Sequence, residues 1–412
     1  MGKYELTEKI KKDEILNEDS NIFSVKKTEL SNENFKLVQY KKKNLEKDKY
    51  DTHGLIRSCI FNLDNNMICY SPPKSLTLDK FIMCSPENVV AEEFVEGTMV
   101  NLFYSNDKWH ISTKSSIGGN CRFYQGEDEL PTFYEMFFEI CKKVNLDFDS
   151  LSQRYCYTFI MQSKKNRVVK PVKTDNLYFI TAYEIVNEND KIYVEDISTN
   201  SEKIEKLKIF FKEATAVKFP ELYKSISKSS FISDVNDITE QYASKNTKYD
   251  IMGVVFKDVE TGRFVKIRNI NHKEVHDLKG NHCKIQYIYL DLRKTNNIDK
   301  YLKYYPEDKN MFSYFRNNLH KYTNQLYENY VNCYIKKKKP LKEWPYEFRI
   351  HMFNIHQKYL SELKQQNKYV NMYVVIQYFN DLHPSQQMYV LNYNLRKKNM
   401  DSINIELEES NI

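Results

Sequence analysis

The sequence is short of glycine and proline, with nine and ten in 412 residues, where roughly 7% and 5% are usual. That excludes collagen-like and Pro/Gly-rich low-complexity chains. It also makes each glycine inside a strand pattern a position to explain. The eight cysteines are scattered, with no Cys-x-x-Cys pair. This excludes a disulfide framework and the usual zinc spacings, and reads as reduced thiols in an intracellular compartment. His272, His276, His282 and Cys283 lie close in sequence but match no strong metal-ligand pattern. No run approaches the 18 or so apolar residues that span a bilayer. The opening MGKYELTEKIKKDE is charged and lacks an apolar signal core. A cytoplasmic chain with no membrane partner is therefore expected.

What is abundant is charge and aromatic surface. Hydrophobic residues make up 41% and charged residues 29%, as in a globular protein long enough for two or three domains. Net charge is +6, with 32 Tyr and 24 Phe. Lys and Arg meet phosphate and rings stack on bases, so this mixture suits nucleic-acid binding. An AT-rich genome would enrich Lys, Asn, Ile and Tyr in the same way, so composition does not decide the matter.

Along the chain, residues 1–50 are polar and lysine-rich and read as a peripheral element with little core. From Gly54 the pattern turns to strands: 55–62 and 67–70 flank Asp64-Asn65-Asn66 as a hairpin. The loop Ser71-Pro72-Pro73-Lys74-Ser75 holds Lys74 in an extended, fixed backbone. Three of the nine glycines fall in VVAEEFVEGTMVNLFYSNDKWHISTKSSIGGNCRF, residues 89–123. This stretch reads as a meander of strands 89–95, 99–104 and 108–113, with a polar Lys-Ser-Ser-Ile-Gly-Gly loop after it. The glycine at 97, flanked by polar side chains, reads as a place where a ligand approaches the backbone. Phe133, Phe137, Ile140, Cys141 and Val144 recur at helical spacing. Strands follow at 155–162 and 177–186, mixed helix and loop at 199–247, and a hairpin at 250–257 and 263–268. From Asn269 strand signals fade. Stripes at Phe312–Tyr330, Phe348–Leu363 and Val370–Leu382 predict a helical domain over 296–400. The tail 401–412 is acidic.

Several segments, in order from Gly54 to about Arg293, resemble the RNA ligases of the covalent nucleotidyltransferase superfamily, of the bacteriophage RNA-repair type and its relatives in large DNA viruses. The family's arginine before the first core strand is similar to Arg57, and its lysine ahead of the nucleophile strand to Lys74. The Lys-x-Asp-Gly nucleophile motif resembles Phe94-Val95-Glu96-Gly97, followed by Thr98. The Ser-Lys-Gly-Ser-Ile segment resembles Thr113-Lys114-Ser115-Ser116-Ile117. The Asn-Arg loop resembles Asn166-Arg167. The Glu-Gly-Val-Val strand resembles Met252-Gly253-Val254-Val255, and the Lys-x-Lys strand Lys266-Ile267-Arg268.

The resemblance implies an α+β nucleotidyltransferase (ATP-grasp-like) ligase core of antiparallel sheets over 51–295, with helices flanking it and a helical C-terminal domain. It implies ATP, a divalent ion such as Mg, and RNA ends as cofactors and partner, and a virus-encoded protein of the host cytoplasm as one setting. It implies nucleotide-site roles for Arg57, Gly97, Thr98, Ser115, Asn166, Arg167, Gly253, Lys266 and Arg268. In the family, the motif lysine attacks the α-phosphate of ATP, and AMP then passes to an RNA 5′-phosphate. Here that position is Phe94, which cannot form a phosphoramidate and is expected in the core. Two metal-holding carboxylates correspond to Thr158 and Met252. The cations match better than the chemistry. One function is therefore a protein that binds an RNA end or nucleotide with adenylation lost. Another is an active ligase with Lys74 or Lys114 as displaced nucleophile and Glu96 as its carboxylate. A third, mRNA-capping guanylyl transfer, also needs the missing lysine. Side chains alternate along a strand, so Lys266 and Arg268 are expected on one face.

Overall fold

The computed structural model describes residues 2–30, 33–84, 86–123 and 130–397. The acidic tail 401–412 lies outside them. The chain divides into two compact units, Met1–His276 and Asp277–Ile412. The boundary falls earlier than the expected 295, because the helix Ile285–Lys294 buries Ile288, Tyr289, Leu290 and Leu292. Tyr289 packs on Phe312 of the long helix that follows, ring centroids 5.2 Å apart.

The first unit is α+β, as expected, and its sheets are antiparallel. The largest is β1 (Lys3–Glu5), β11 (Lys191–Asp196), β10 (Asn176–Glu188), β9 (Tyr155–Gln162), β7 (Thr98–Ser105) and β8 (Lys108–Ser112), in that order. A second is β12 (Leu222–Ser227), β6 (Asn88–Glu93), β13 (Gly253–Asp258) and β14 (Phe264–Arg268). The third is β2 (Phe23–Leu30), β3 (Glu33–Tyr40), β4 (Cys59–Phe61) and β5 (Met67–Tyr70).

Two expectations are corrected here. Residues 1–50 are not peripheral: β1 pairs with β11, and β2 and β3 pair with each other and lead into β4. Leu6, Ile10, Ile15, Phe23, Phe35, Leu37 and Val38 are buried, each burial contributing about 1.5–3 kcal/mol for a full large side chain. Lysines on the other face of these strands hid that core in the composition. Nor do 89–113 form one meander. β6 belongs to the second sheet and β7–β8 to the first, so Phe94–Gly97 crosses from one sheet to the other.

Alternation sets the packing. On the second sheet Val89, Ala91, Val254, Phe256 and Val265 form a core with Phe81, Phe231, Val235 and Ile238 of two helices. On the first, Val100, Leu102, Tyr157, Phe159, Met161, Leu177 and Phe179 pack on Met136, Phe137, Ile140, Cys141 and Phe211. The helix Phe133–Lys143 carries the expected stripe and starts at a capping box. Thr132 Oγ1 accepts from Glu135 N at 3.1 Å, and the Glu135 carboxylate accepts from Thr132 N at 2.7 Å. Such a cap stabilises by about 1 kcal/mol.

The second unit is helical among its described residues. Phe312, Phe315, Leu319, Tyr322, Leu326 and Tyr330 line the buried side of Lys309–Tyr330, as the spacing predicts. In Met372–Asp381 the buried residues are Val375 and Phe379 instead of Val374 and Tyr378. The Tyr378 hydroxyl is at hydrogen-bond distance from His351 Nδ1, 2.9 Å, and accepts from Asn354 Nδ2 at 3.2 Å, so it stays at the edge. No helix of the described residues is long and apolar enough to cross a membrane.

Candidate functional site

The unpacked face of the second sheet builds the site. Glu92 pairs with Val255, and Val255 with Lys266, so these three side chains form a row on one face. In the next row Phe94 N donates to the Gly253 carbonyl at 3.3 Å, and Gly253 pairs with Arg268. Gly253 places no side chain between Phe94 and Arg268. The Arg268 guanidinium therefore lies over the Phe94 ring, 5.7 Å from its centroid, and the Lys266 ammonium 4.9 Å from it. The shared face of Lys266 and Arg268 is as alternation predicts. Phe94 is a correction: it is half-buried at this face and belongs to no core cluster, because the strand row that carries it faces the cleft.

Between the first two sheets Phe94, Val95, Met99, Ile160, Ile180, Val255 and Phe264 line a narrow, mostly apolar slot, with Glu92, Lys257 and Lys266 on its wall. Lys257 is taken up: its ammonium is 3.8 Å from the Asp196 carboxylate and donates to Ser198 Oγ. Burial raises the Glu92 carboxyl above its ordinary range, against the pull of Lys257, Lys208 and Lys266.

Lys266 is the most perturbed lysine of the site. Burial, then the charges of Arg57, Arg268 and Lys74, push its ammonium down to about 7, and Glu92 opposes them. Burial depresses Lys74 too, with Arg57, Lys42 and Lys114 adding to it. Lys114 is lowered by burial, Arg57 and Lys42. Arg57 is itself lowered by burial, against Tyr40 and Tyr183. Arg57 thus stands at the centre of one cluster, with Lys74, Lys114 and Lys266 around it. The Lys74 ammonium rests over the Tyr50 ring at 4.6 Å, and that of Lys114 over Tyr40 at 5.6 Å. Among the described residues none of these four cations has a carboxylate within ion-pair distance. A cluster of like charges with Glu92 alone set against it at Lys266 favours an anion.

The remaining sequence-nominated residues brace the crossover. The Glu96 carboxylate is buried. It accepts from Val169 N at 3.0 Å and from Lys170 N at 3.0 and 3.1 Å, and is 2.6 Å from His272 Nε2. Gln162 donates to the Glu96 carbonyl at 2.8 Å. Asn166 donates to Thr98 Oγ1 at 3.0 Å, and the Arg167 guanidinium donates to the Val169 carbonyl at 3.0 and 2.8 Å. These groups hold Phe94–Thr98 in place. Gly97 has φ +149°, and a Cβ there would lie 2.5 Å from the Met161 carbonyl. The group approaching this glycine is strand β9, where a ligand was expected. At Gly253, φ +138°, a Cβ would lie 2.1 Å from the Ile267 carbonyl of β14. Ser115 is exposed in the loop beside Lys114.

The residues present do not fit a protein-held metal. Thr158, fully buried, donates to Asn101 Oδ1 at 2.9 Å in an uncharged polar row, and the other expected carboxylate position is Met252. Among the described residues no group of three or more His, Cys, Asp and Glu is placed to hold a metal ion. Three contributors went unnoticed in the sequence: Lys42, Tyr40 and Tyr50. Tyr40 ends β3, and Lys42 and Tyr50 follow it, all within the polar, lysine-rich residues 1–50. The alternation of 33–40 was the available signal.

No protein-family model matches the chain, and no curated protein matches it. Among solved structures it is similar to a proposed ATP-dependent DNA ligase from Aquifex aeolicus, at 15% identity and TM-score 0.42, covering 82% of this chain and 77% of that one. It is similar to an archaeal ATP-dependent RNA ligase at 16% identity and TM-score 0.36, covering 64% and 61%. A Naegleria gruberi RNA ligase with pyrophosphate aligns at 12% identity and TM-score 0.36, over 62% and 77%. These are remote likenesses and assign no residue.

Proposed function

We propose that this protein binds the 5′-phosphate end of an RNA, or the phosphates of a nucleotide, in the Arg57 cleft, as a ligase-like protein of RNA-end joining that lacks the motif lysine. The observation that carries the reading is the convergence of Arg57, Lys74, Lys114 and Lys266, none ion-paired to a carboxylate among the described residues, beside a half-buried Phe94. Each phosphate oxygen bound there gains charge-assisted hydrogen bonds of about twice neutral strength. The narrow slot is lined mainly by apolar side chains, with Glu92, Glu93, Thr181, Asp196, Lys257 and Lys266 as its polar groups, and its apolar part suits the flat face of a nucleoside. Lys74 and Lys114, whose ammoniums lie over Tyr50 and Tyr40, stay candidates for the displaced nucleophile of an active ligase. The capping-type reading is set aside because Phe94 removes its lysine as well.

The test is fluorescence anisotropy with one single-stranded RNA carrying either a 5′-phosphate or a 5′-hydroxyl, across a salt series without ATP. The reading expects tighter binding of the phosphorylated end and affinity that falls with salt. Equal binding of both ends removes end recognition, and no binding of either RNA or nucleotide removes the reading.

A further inference from the structure

We propose that the helical unit carries a binding surface of its own for single-stranded RNA, which stacks bases on Tyr346, Tyr389 and Tyr393 and needs no terminal phosphate. This surface lies outside the Arg57 cleft, and the argument for it does not depend on the reading of that cleft.

The sequence concentrates positive charge in this unit. Residues 1–276 hold 41 Lys and Arg against 42 Asp and Glu, whereas residues 277–397 hold 20 against 10. Such a balance favours a polyanionic partner. Charge alone makes no site; the aromatic residues supply the rest. In the helix Tyr346–Lys358 the buried residues are Phe348, His351, Met352 and Ile355, which leaves Tyr346, Ile350 and Phe353 outside. In Pro384–Leu391 they are Pro384, Gln387 and Val390, which leaves Tyr389 outside. Tyr346 is 69% exposed and Tyr389 64%, so neither ring serves the core of the unit. Clustered exposed rings of this kind mark a contact surface.

The two helices border a groove of about 570 Å³, walled by Tyr346, Ile350, Tyr389 and Tyr393 with the amides of Asn354 and Gln386. A second groove, of about 430 Å³, shares Glu347, Val390 and Tyr393 with the first and adds Asn318, Lys321, Gln325, Asn392 and Asn394. Glu347 is the one acid lining either groove among the described residues. The Tyr346 and Tyr393 rings stack at 29°, centroids 6.2 Å apart. The Arg396 guanidinium lies 3.7 Å from the Tyr389 centroid, and that of Arg349 6.0 Å from the Tyr346 centroid. Arg349 Nε donates to the Trp344 carbonyl, which fixes the guanidinium beside its ring. This chemistry selects the occupant. A partner helix asks for a continuous apolar face, whereas here rings alternate with amides and cations. Ring faces stack bases of any sequence, amides donate to and accept from base edges, and guanidiniums hold phosphates. A duplex keeps its base faces covered, so a single strand is the form that fits.

The full-length protein is titrated with a single-stranded RNA of about 12 nucleotides bearing a 5′-hydroxyl, with the same strand bearing a 5′-phosphate, and with the corresponding duplex. The unmutated protein is expected to prefer the single strand to the duplex. The double variant Y346A/Y389A is expected to bind the 5′-hydroxyl strand about tenfold or more weakly, with the ratio between the two ends unchanged. Photocrosslinking of the unmutated protein to the strand carrying 4-thiouridine, mapped by mass spectrometry, is expected at Tyr346, Tyr389 or Tyr393, and decides the matter even if the variant misfolds. Unchanged affinity in a folded variant, equal binding of strand and duplex, or crosslinks confined to residues 1–276 overturns the inference. So does a dimer in sedimentation that Y346A/Y389A converts to monomers, because a second copy then covers the surface. Equal affinity of the unmutated protein for the two RNA ends counts against the Arg57 reading alone.

Discussion

Replacing Lys266 by methionine is expected to stabilise the first unit, and to do so in a pH-dependent way. The two side chains are similar in length, and methionine packs between rings without a charge. The Lys266 ammonium falls from an ordinary pKa of 10.5 to about 7 on folding. At about 1.4 kcal/mol per tenfold, holding that group in the cleft costs on the order of 4 kcal/mol at pH 7. Water reaching a half-buried side chain reduces this to roughly 2–3 kcal/mol. The sign follows from the folded pKa lying below the unfolded one. Above about pH 10.5 both states are neutral at this site and the penalty is absent. As pH falls toward 7 the unfolded chain takes up a proton that the folded chain does not, so the penalty grows. Below about pH 7 both states carry the proton and the penalty is constant. The methionine variant should therefore gain roughly 2–3 kcal/mol at pH 6–7, and the gain should shrink toward zero by about pH 10.5. Urea unfolding followed by tryptophan fluorescence measures it. The chain has two tryptophans, Trp109 and Trp344, one in each unit, so a W344F background reports on the first unit alone. Contributions from all other groups cancel in the difference between variants. No gain at pH 7, or an equal gain at pH 7 and 10.5, refutes the argument that holding the Lys266 ammonium in the cleft costs stability.

Glu96→Ala removes the acceptor for Val169 N, Lys170 N and His272. It should cost about 2–4 kcal/mol, seen as a lowered urea midpoint and as faster tryptic cleavage at Lys164–Lys170. Unchanged stability would return Glu96 to a catalytic role. Gly97→Ala sets a Cβ against the Met161 carbonyl at a φ that disfavours alanine, and should destabilise by more than about 1 kcal/mol, read as a lowered midpoint of thermal unfolding. Arg57→Ala should weaken binding of 5′-phosphorylated RNA similarly for all sequences and lower the slope of log affinity against log salt by about 1, read by anisotropy.

The β-hairpins at 59–70 and 253–268, the stripe of Phe133–Lys143 and the apolar side of Lys309–Tyr330 were legible because each depends on residues near in sequence. What needs distant residues was not. Gly97 was correctly singled out, but what approaches it is Met161 of β9, 64 positions later. The two strands around Glu96 look like one meander until β13 and β9 claim them separately. Glu92 and Lys266 meet on one face only through the register of β6, β13 and β14. Lys266 was recognised as a basic strand residue by motif, yet its burial between Phe94 and Phe264 is a tertiary fact. The core of residues 6–40 was obscured because long lysine side chains share its strands. In Met372–Asp381 adjacent apolar pairs, Val374-Val375 and Tyr378-Phe379, leave the facing stripe undetermined by periodicity alone.

The central claim is that the cations around Arg57 hold a terminal phosphate. Equilibrium binding of one RNA sequence with a 5′-phosphate against the same sequence with a 5′-hydroxyl, at about physiological salt and without ATP, tests it most directly. A preference of about tenfold or more, worth about 1.4 kcal/mol, that disappears in the Arg57→Ala variant is the predicted result. Equal affinity for the two ends, or a preference unchanged by Arg57→Ala, contradicts it.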